Sequence, residues 1–352
     1  MLDLRRMMLL CDLADLGTVA AVAERRNITS SAVSQQLRVL EQETGAVLFR
    51  RDGRTLGLTQ SGEILVEHVR RVMGAIDEAM SAVAASRDTI GGQLTIAGFE
   101  TSIPSLAAPL VQRLSRDEPH LLVSVIQEGS AAALRSLRRG EIDVALIFRL
   151  YFLADETVGG LVSRPLFEDP LVLLAPAHLH ERIYDQGLSA LADEPWITGP
   201  HGSSWAAALD LASESAGFVP QVTHRVRGAP NMCQLAAAEV APAIVPRLSV
   251  PSALTGLMVP GVDLGSRSVC AVHREGAQRN PAVSVVLRTL QAIVAERESA
   301  LLQDGSAARG LRPASLAGLI HDRRCAPQAS SRQELMGVLA GGSARADGTW
   351  RR

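Results

Sequence analysis

The sequence has 352 residues, 47% of them hydrophobic, and a formal net charge of −2 at pH 7. This length is too great for one compact domain, so two or three domains are expected. Its 35 basic residues, all arginine, are balanced by 37 acidic residues, which excludes a strongly basic protein that binds nucleic acids nonspecifically. The longest apolar runs are strand-sized and no secretory signal is recognised, so we expect a cytoplasmic protein with no membrane partner.

The four cysteines are too scattered to suggest a metal site or a disulfide framework. They form no C-x-x-C pair, and no histidine lies at metal-ligand spacing from any of them. We therefore predict no metal and expect reduced thiols, while a redox role for Cys233 or Cys270 stays open. The cysteines are Cys11, Cys233, Cys270 and Cys325.

The chain begins with two predicted helices. Leucine and methionine alternate with charged residues at helical spacing over 2–16, and Gly17 follows as a helix terminator. Thr18 can cap a short second helix over residues 19–25. Asn27 then lies in the turn that leads to the next helix.

The third predicted helix, residues 30–42, is amphipathic. Its apolar residues recur at i, i+4 and i+7 and are Val33, Leu37 and Leu40. The opposite face carries hydroxyl, amide and guanidinium groups, which are the groups that read base edges and phosphates in DNA. These residues are Ser31, Gln35, Arg38 and Gln42. The alternative is an ordinary solvated helix face.

A basic β-hairpin is predicted next. The turn signal Asp52-Gly53 lies between two short extended runs. The predicted hairpin carries Arg50, Arg51 and Arg54. Helix, turn, helix and basic wing, in this order, form a DNA-binding layout.

The stretch GTVAAVAERRNITSSAVSQQLRVLEQETGAVLFRRDGRTLGLTQSGE resembles the winged helix-turn-helix of LysR-type transcriptional regulators. The positions in register with that family's motif are Ala32-Val33-Ser34, Leu40-Glu41, Gly45, Leu48-Phe49-Arg50-Arg51, Leu58-Thr59 and Gly62. The resemblance implies a regulator whose third helix reads the major groove and whose wing contacts phosphates. The DNA-contacting residues it implies are Thr29, Ser30, Ser31, Ala32, Ser34, Gln35, Arg38, Arg50, Arg51, Arg54 and Thr59.

The sequence departs from the family motif at several positions. Arg26 stands where the family has a core leucine, and Ser30-Ser31 replace the usual Gln-Pro at the start of the third helix. The second change removes a base-reading amide and a helix-initiating proline. The DNA sequence preference therefore need not be the common one of the family.

A long helix without proline is predicted between residues 60 and 87. Its apolar residues are spaced 4-3-4-3-4 and are Leu65, Val69, Val72, Ile76, Ala79 and Val83. Such a heptad-like seam needs a partner, and the resemblance implies the linker helix on which these regulators form dimers. The alternative is a helix that lies on the core of its own chain.

After Gly91-Gly92 the pattern changes to alternating strands and helices, which predicts βαβ units and a parallel sheet. In the first half, strands are predicted at 93–99, 121–129 and 143–148, with helices at 104–114 and 131–139. In the second half, strands are predicted at 170–175, 195–198, 221–226 and 242–246, with helices at 204–216 and 231–239. A strand predicted at 268–275 and a helix predicted at 281–302 then return the chain to the first half.

The fold class implied is α/β with an N-terminal winged helix-turn-helix domain and a two-lobed, periplasmic-binding-protein-like effector domain. The chain would cross between the lobes near 149–162 and again near 259–268. One departure is that Glu239 and Ala241 replace both glycines of the family's Val-x-x-Gly-x-Gly pattern. The predicted parts are the winged domain 1–62, the linker helix 63–90, lobe 1 at about 91–160 and 265–302, lobe 2 at about 161–264, and a mostly disordered tail 303–352.

In such a domain a ligand lies between the lobes, at the carboxyl ends of strands and the amino ends of helices, where free N–H groups favour an anion. Thr101, Ser102 and Ser130 match positions where relatives bind effectors, although a capping hydroxyl looks the same in a sequence. Glu100 disfavours a strongly anionic ligand. The candidate effector-binding residues are Thr101, Ser102, Ser130, Phe148, Arg149, His201 and Asn231.

The sequence contains no catalytic motif, so we predict no enzymatic activity, no catalytic residues and no cofactor apart from an unidentified small-molecule effector. The implied partners are double-stranded DNA with an interrupted palindrome, and a second copy of the chain in a homodimer or a dimer of dimers. RNA polymerase is a further candidate partner. Two rival functions stay open, an architectural DNA-binding protein that senses nothing and a solute-binding protein, although the latter would not carry a winged helix.

Overall fold

The computed structural model describes residues 3–52, 55–85, 90–150 and 160–303. These residues fall into two compact units. The first unit contains the described residues up to Val172, then Pro246–Thr255, and those from Asp263 onward. The second contains Leu173–Val245 and Gly256–Val262. The predicted tail beyond Gln303 lies outside the described residues, as does the tip of the predicted wing.

The first unit opens with three helices, a hairpin and a long helix, as predicted. Asp3 caps the first helix, which Gly17 ends in the left-handed conformation with φ 73. Thr18 caps the second helix through the N–H of Ala21, so both predicted boundary residues have the expected roles. The elements are α1 (Leu4–Leu16), α2 (Val19–Arg26), α3 (Ser30–Thr44), β1 (Phe49–Asp52), β2 (Thr55–Leu58) and α4 (Gln60–Ala85).

A small apolar core holds this segment together. It is built from one face of each helix and from the residue that precedes the hairpin, Leu48. The strands β1 and β2 pair in antiparallel register, with Asp52 opposite Thr55. The side chains with no more than 1% of their surface exposed include Leu10, Leu13, Val22, Val33, Leu37, Leu40 and Leu48.

The remainder of the first unit is a sheet with helices. Its strand order is β4-β3-β5-β11-β6, where β11 is the strand Ser266–Arg274. Strand β3 runs parallel to β4 and β5, while β11 runs antiparallel to β5 and β6. The predicted parallel arrangement thus holds for the first three strands. The elements are β3 (Gly92–Gly98), α5 (Ala108–Asp117), β4 (Leu121–Gln127), α6 (Ser130–Arg138), β5 (Val144–Leu150) and β6 (Leu161–Leu174).

The helix predicted from Pro104 differs in its first turn. Residues Ile103–Ala107 form a π-helical turn, and the α-helix begins only at Ala108. Periodicity does not distinguish these two helix types over five residues, because both expose the same side of so short a segment.

The second unit has its own strands around the carboxyl-terminal part of β6, in the order β6-β9-β7-β8, with β10 paired to β6. Strand β7 is parallel to β8 and β9. The sequence analysis did not predict α7 or β10, which are too short to show a period. The elements are α7 (His180–Gln186), β7 (Pro195–Thr198), α8 (Ser204–Ser215), β8 (Gln221–Arg225), α9 (Ala229–Ala237), β9 (Ala243–Pro246) and β10 (Met258–Val259), before β11 (Ser266–Arg274) and α10 (Pro281–Gln303) of the first unit.

Strand β6 belongs to both units, because compactness divides the chain between Val172 and Leu173. The lobe boundary predicted at about residue 160 therefore lies before β6, whereas this division lies within it. A continuous strand has no turn residue or change in composition to mark such a division, which is why the sequence did not indicate it.

The long helix α4 presents two different faces. Leu65 of the predicted seam packs against the apolar core of the winged segment, and Val69 is 1% exposed. Farther along, Gly74 approaches the backbone of Glu275 in its own chain. The opposite side of this half exposes large apolar side chains, which are Val72, Ile76, Met80 and Val83. One part of α4 therefore packs on its own chain, while pairing of the exposed apolar row with a second copy stays a prediction.

Candidate DNA-binding surface and effector site

The helix-turn-helix consists of α2, a left-handed turn and α3. Asn27 ends α2 with φ 53, and its N–H is directed to the carbonyls of Ala23 and Glu24. Thr29 begins α3, and its hydroxyl accepts a hydrogen bond of 3.2 Å from the N–H of Ala32. The backbone N–H of Asn27 and the hydroxyl of Thr29 satisfy helix-end groups that would otherwise lack partners, so the turn is set locally by the sequence.

Helix α3 buries its apolar side and exposes its polar side. Val33, Leu37 and Leu40 have no exposed surface. Ala32 and Ser34 are half-buried at the flanks. The exposed polar residues are Ser30, Ser31, Gln35, Arg38 and Gln42. The predicted division of the helix into two faces is confirmed, while contact of the exposed face with DNA stays a prediction.

The connection between α3 and the hairpin is held by polar side chains. A carboxylate oxygen of Glu41 accepts a hydrogen bond of 2.8 Å from the N–H of Leu48. The hydroxyl of Thr59 donates to the Val47 carbonyl at 2.6 Å and accepts from the N–H of Gly62 at 3.1 Å. Sequence reasoning noted Glu41 as part of a motif but did not recognise that it supports the hairpin from α3.

The predicted basic wing is described only in part. The side chain of Arg50 is exposed on β1. The side chain of Arg51 and the whole of Arg54 lie outside the part of the chain that the structure describes, so their predicted roles are untested.

The departure at Arg26 has a structural explanation. Its Nε atom lies 2.5 Å from Oδ2 of Asp12 on α1, and the Asp12 side chain is 4% exposed. The guanidinium of Arg25 also approaches Asp12, at 3.4 Å. A charged contact between α1 and α2 therefore takes the place that the family gives to a core leucine, and Asp12 needs both arginines because a buried carboxylate without a partner is costly.

The carboxyl edge of the first unit's sheet carries the predicted effector residues Thr101, Ser102 and Ser130. Ser102 has no exposed surface, and its hydroxyl donates to the Phe99 carbonyl at 2.7 Å. The Ser130 hydroxyl accepts a hydrogen bond of 3.1 Å from the N–H of Phe148. These hydroxyls are thus bonded within the protein, and Thr101 and Ser102 lie beneath the surface.

The centre of this edge is a buried arginine that the sequence analysis did not identify. Arg267 of β11 is 1% exposed. Its Nε and Nη2 atoms lie 2.9 and 2.8 Å from Oδ2 of Asp169, and Nη2 donates to the Thr101 hydroxyl at 2.8 Å. The guanidinium lies 4.9 Å from the ring centres of both Phe99 and Phe148.

Burial and pairing act in opposite directions on this ion pair. Burial raises the pKa of Asp169, while the Arg267 charge and the N–H of Leu248, 3.0 Å from Oδ1, lower it. Burial likewise lowers the pKa of Arg267. Nearby, partial burial raises the pKa of Glu100. The edge where the effector is predicted to bind is therefore partly apolar, and the charge of the buried Arg267 beneath it is balanced by Asp169.

The other candidate residues are dispersed. Arg149 follows Phe148 on β5 and is half-buried. His201 and Asn231 belong to the second unit and are exposed, and the Asn231 amide donates to the Arg227 carbonyl at 2.8 Å. Their predicted contacts with an effector are untested.

Other kinds of site find no support in the described residues. No group of three or more histidine, cysteine, aspartate or glutamate side chains there could hold a metal ion, and no described helix is long and apolar enough to cross a membrane. Cys233 and Cys270 are buried, and burial raises the pKa of the Cys11 thiol to about 12. At neutral pH the Cys11 thiol is therefore protonated and a poor nucleophile.

Two family descriptions match this chain. "Bacterial regulatory helix-turn-helix protein, lysR family" matches residues 4–63, and "LysR substrate binding domain" matches residues 87–295, more than half of the sequence. The chain belongs to the LysR family. This family consists of transcriptional regulators, and the predicted resemblance and fold class are confirmed.

Relatives within the LysR family include the nitrogen assimilation regulatory protein nac of Klebsiella aerogenes, 31% identical over 49% of this chain. That match spans only 55% of the nac protein. A probable hydrogen peroxide-inducible genes activator of Mycobacterium xenopi is 33% identical over 47% of this chain and 90% of its own length. The regulator ClcR of Pseudomonas putida is 28% identical over 85% of this chain and 100% of its own length.

Solved structures of LysR-family proteins show the same fold. A full-length OxyR variant from Pseudomonas aeruginosa matches with a TM-score of 0.56 and 19% identity, over 83% of this chain and 95% of that one. ArgP from Mycobacterium tuberculosis matches with a TM-score of 0.55 and 21% identity, over 84% of this chain and 98% of that one.

Proposed function

We propose that this LysR-family protein regulates transcription in the cytoplasm by binding specific DNA as paired copies and by responding to a small-molecule effector. The observation that carries the DNA-binding part is the exposed polar face of α3, which lies opposite a fully buried apolar face. A helix of this kind can enter a major groove with its exposed face while its buried face stays packed on the three-helix core. The relatives nac, named as a regulatory protein, and ClcR, named as a transcriptional regulator, support the same function.

Different residues of this surface would have different roles. Ser31, Gln35 and Arg38 are exposed and would read base edges in the major groove. Arg50 on β1 would contact phosphates, which carry no sequence information. Thr29 and Thr59 already use their hydroxyls to hold the start of α3 and the segment before the hairpin, so they would position the surface.

Pairing of two copies would use α4. The apolar side chains of Val72, Ile76 and Val83 are exposed along one side of this helix. An exposed row of this length at heptad-like spacing is typical of a coiled-coil seam. Two paired winged segments would then read the two halves of an interrupted palindrome.

The effector would bind at the carboxyl edge of the first unit's sheet, beside Ser130, Phe148 and Arg149. The buried Arg267 between two aromatic rings gives this edge a positive potential, but Asp169 neutralises most of it. Glu100 adds an acidic group at the same edge. We therefore propose a small organic effector with no more than one negative charge.

The DNA-binding proposal is tested by selecting bound sequences from a random DNA pool with the full chain. Wild-type protein is expected to recover a two-fold interrupted palindrome. Gln35→Ala should change the recovered sequence at one position in each half, because one base contact is worth about 1–3 kcal/mol. Arg50→Ala is the matched variant that should weaken all sites alike and reduce the salt dependence of binding.

Recovery of no motif by the wild-type protein, with or without candidate effectors, would contradict sequence-specific binding and favour an architectural role. If both variants lost affinity uniformly, α3 would not be the element that reads sequence.

A further inference from the structure

The helix-turn-helix contacts the sheet part of the first unit through an ion pair. The guanidinium of Arg25 on α2 pairs with the carboxylate of Glu141, which lies in the loop between α6 and β5. Arg139, which follows α6, donates to the same carboxylate from Nε at 3.1 Å and from Nη2 at 2.7 Å. On the other side, Arg25 lies 3.4 Å from Asp12 of α1. Charged side chains thus connect α1 and α2 to the loop before β5.

Glu141 is ionised at neutral pH, and its loop is held to the sheet. Partial burial raises the pKa of Glu141, but the hydrogen bonds and charges of Arg139 and Arg25 outweigh burial and lower it. Asp143, two residues farther along the loop, exchanges two hydrogen bonds of 2.8 Å with Thr95 of β3. A movement of the sheet or of the end of α6 therefore also moves the Glu141 carboxylate.

The elements on either side of this loop extend to the edge where the effector is proposed to bind. Helix α6 begins at Ser130, and β5 carries Phe148 near its end. The Ser130 hydroxyl accepts a hydrogen bond of 3.1 Å from the Phe148 N–H, which joins the two elements at that edge. Leu134 of α6 and Ile147 of β5 belong to one buried apolar core. Because closely packed elements move together, a displacement at Ser130 or Phe148 is carried to Glu141.

A second contact and a cavity give α2 space to shift. A Cβ atom at Gly276, in the turn after β11, would lie 2.8 Å from the carbonyl oxygen of Gly74 on α4, so these two segments touch through their backbones. A cavity of about 290 Å³ has both Gly74 and Arg139 in its lining. The cavity therefore lies between the backbone contact and the ion pair. Loss of the ion pair would remove a restraint on α2 at the side of this space.

We propose that Glu141 is a positioning residue that transmits the state of the effector edge to the helix-turn-helix through Arg25. This inference rests on the proposed effector and DNA-binding sites. Helices α2 and α3 share the buried core of the winged segment, so a shift of α2 carries the exposed face of α3 with it. An effector that displaces Ser130 or Phe148 would thus change how α3 is presented to DNA. By linkage, bound DNA would affect the effector edge to the same extent.

The first test is amide hydrogen exchange of the free full chain. Glu141→Gln removes the charge and keeps the size of the side chain, so α2 and residues 139–143 should exchange about two- to fivefold faster than in wild type. Unchanged exchange in α10 shows that the variant is folded. Glu194→Gln is the matched control, because it removes the carboxylate of an ion pair with Arg182 in the second unit. Unchanged exchange of α2 in Glu141→Gln would overturn the positioning role.

The second test repeats the exchange measurement with the DNA site recovered from the random pool. In wild type and in Glu194→Gln, this DNA should slow exchange at residues 130–134 and 146–148. In Glu141→Gln this protection should be lost while the DNA still binds, because the exposed face of α3 is unchanged.

The outcomes separate this inference from the function on which it rests. Equal protection of the effector edge in wild type and Glu141→Gln, or no protection there despite specific DNA binding, would overturn the inference alone. If the wild-type chain selected no DNA site, the proposed function would be contradicted, and the inference would fall with it.

Discussion

At the scale of single residues, Glu239 stands out because its backbone is in the left-handed region, with φ 56, just after α9. The family pattern has glycine here, and glycine adopts this conformation without steric cost. Glu239→Gly should therefore increase the free energy of unfolding by about 0.5–1 kcal/mol, measured by urea denaturation.

The control is Glu214→Gly, at an exposed glutamate within the regular helix α8. Glycine at residue 214 should lower the free energy of unfolding by about 0.5–1 kcal/mol, because it makes the unfolded chain more flexible and the helical backbone there has no strain to relieve. Equal effects of the two substitutions would show that the backbone at residue 239 is not strained.

His273 is a second residue with a measurable consequence. It has no exposed surface, Nδ1 lies 2.8 Å from the Arg274 carbonyl, and Nε2 has no hydrogen-bond partner among the described residues. Burial lowers its pKa, the Arg274 carbonyl raises it, and the charges of Arg164 and Arg274 lower it further. The folded chain therefore keeps this imidazole neutral while the unfolded chain takes up a proton below about pH 6.5.

The unfolded state therefore binds more protons than the folded state below that pH. The contribution of His273 to the free energy of unfolding is present above that pH and is lost as the pH falls, by up to about 1.4 kcal/mol per pH unit. The free energy of unfolding, measured by urea denaturation at several pH values between about 5 and 7.5, should change less with pH in His273→Gln than in wild type. The exposed His201, changed to Gln, serves as control. An unchanged slope in His273→Gln would mean that this imidazole is protonated in the folded chain.

At the scale of elements, the start of α4 is set by a close approach to the residue before the hairpin. A Cβ atom at Gly62 would clash with the carbonyl oxygen of Leu48, and this same oxygen accepts a hydrogen bond of 3.0 Å from the N–H of Thr59. The carbonyl cannot move away without losing that bond. This contact explains why the resemblance to the family includes a glycine at this position.

Gly62→Ala should destabilise the winged segment by about 1–3 kcal/mol, because the added methyl group forces the helix and the hairpin apart. Thermal unfolding followed by circular dichroism measures the effect. Gly57→Ala is the control, since a Cβ atom there meets open space. A midpoint for Gly62→Ala no lower than that of Gly57→Ala would show that α4 adjusts freely.

At the scale of the whole molecule, α4 has an exposed seam whose partner is proposed to be a second copy of the chain. Ile76, 37% exposed, lies near the middle of this seam. Ile76→Arg would bring two cations together in an apolar contact, so sedimentation should show a shift from dimer toward monomer and DNA affinity should fall with it.

Glu67→Arg introduces the same side chain on the opposite side of α4, where the residue is exposed. It should leave the sedimentation coefficient unchanged. If Ile76→Arg also left the assembly unchanged, α4 would not be the dimer contact, and the exposed apolar row would need another explanation.

Much of the fold follows from local sequence. Helices α1, α2 and α3 could be predicted because Gly17, Thr18 and Thr29 act on groups within a few residues, and because apolar spacing determines which face of a helix is buried. The two faces of α3, and so the candidate reading surface, were predicted in the same way. The short α7 and the π-helical turn at Ile103–Ala107 could not be, because segments this short show no period.

The sequence by itself determined the kind of protein, since the helix-turn-helix motif, its caps and the alternation of strands and helices are all short-range patterns. Only the tertiary structure brought Arg267 to Asp169, 98 positions away, and to Thr101, 166 positions away. It also brought Met8 of α1 and Arg274 of β11 to the lining of one cavity of the first unit. Contacts between distant residues depend on how elements pack, and apolar periodicity shows which face is buried but not which residue of another element that face meets.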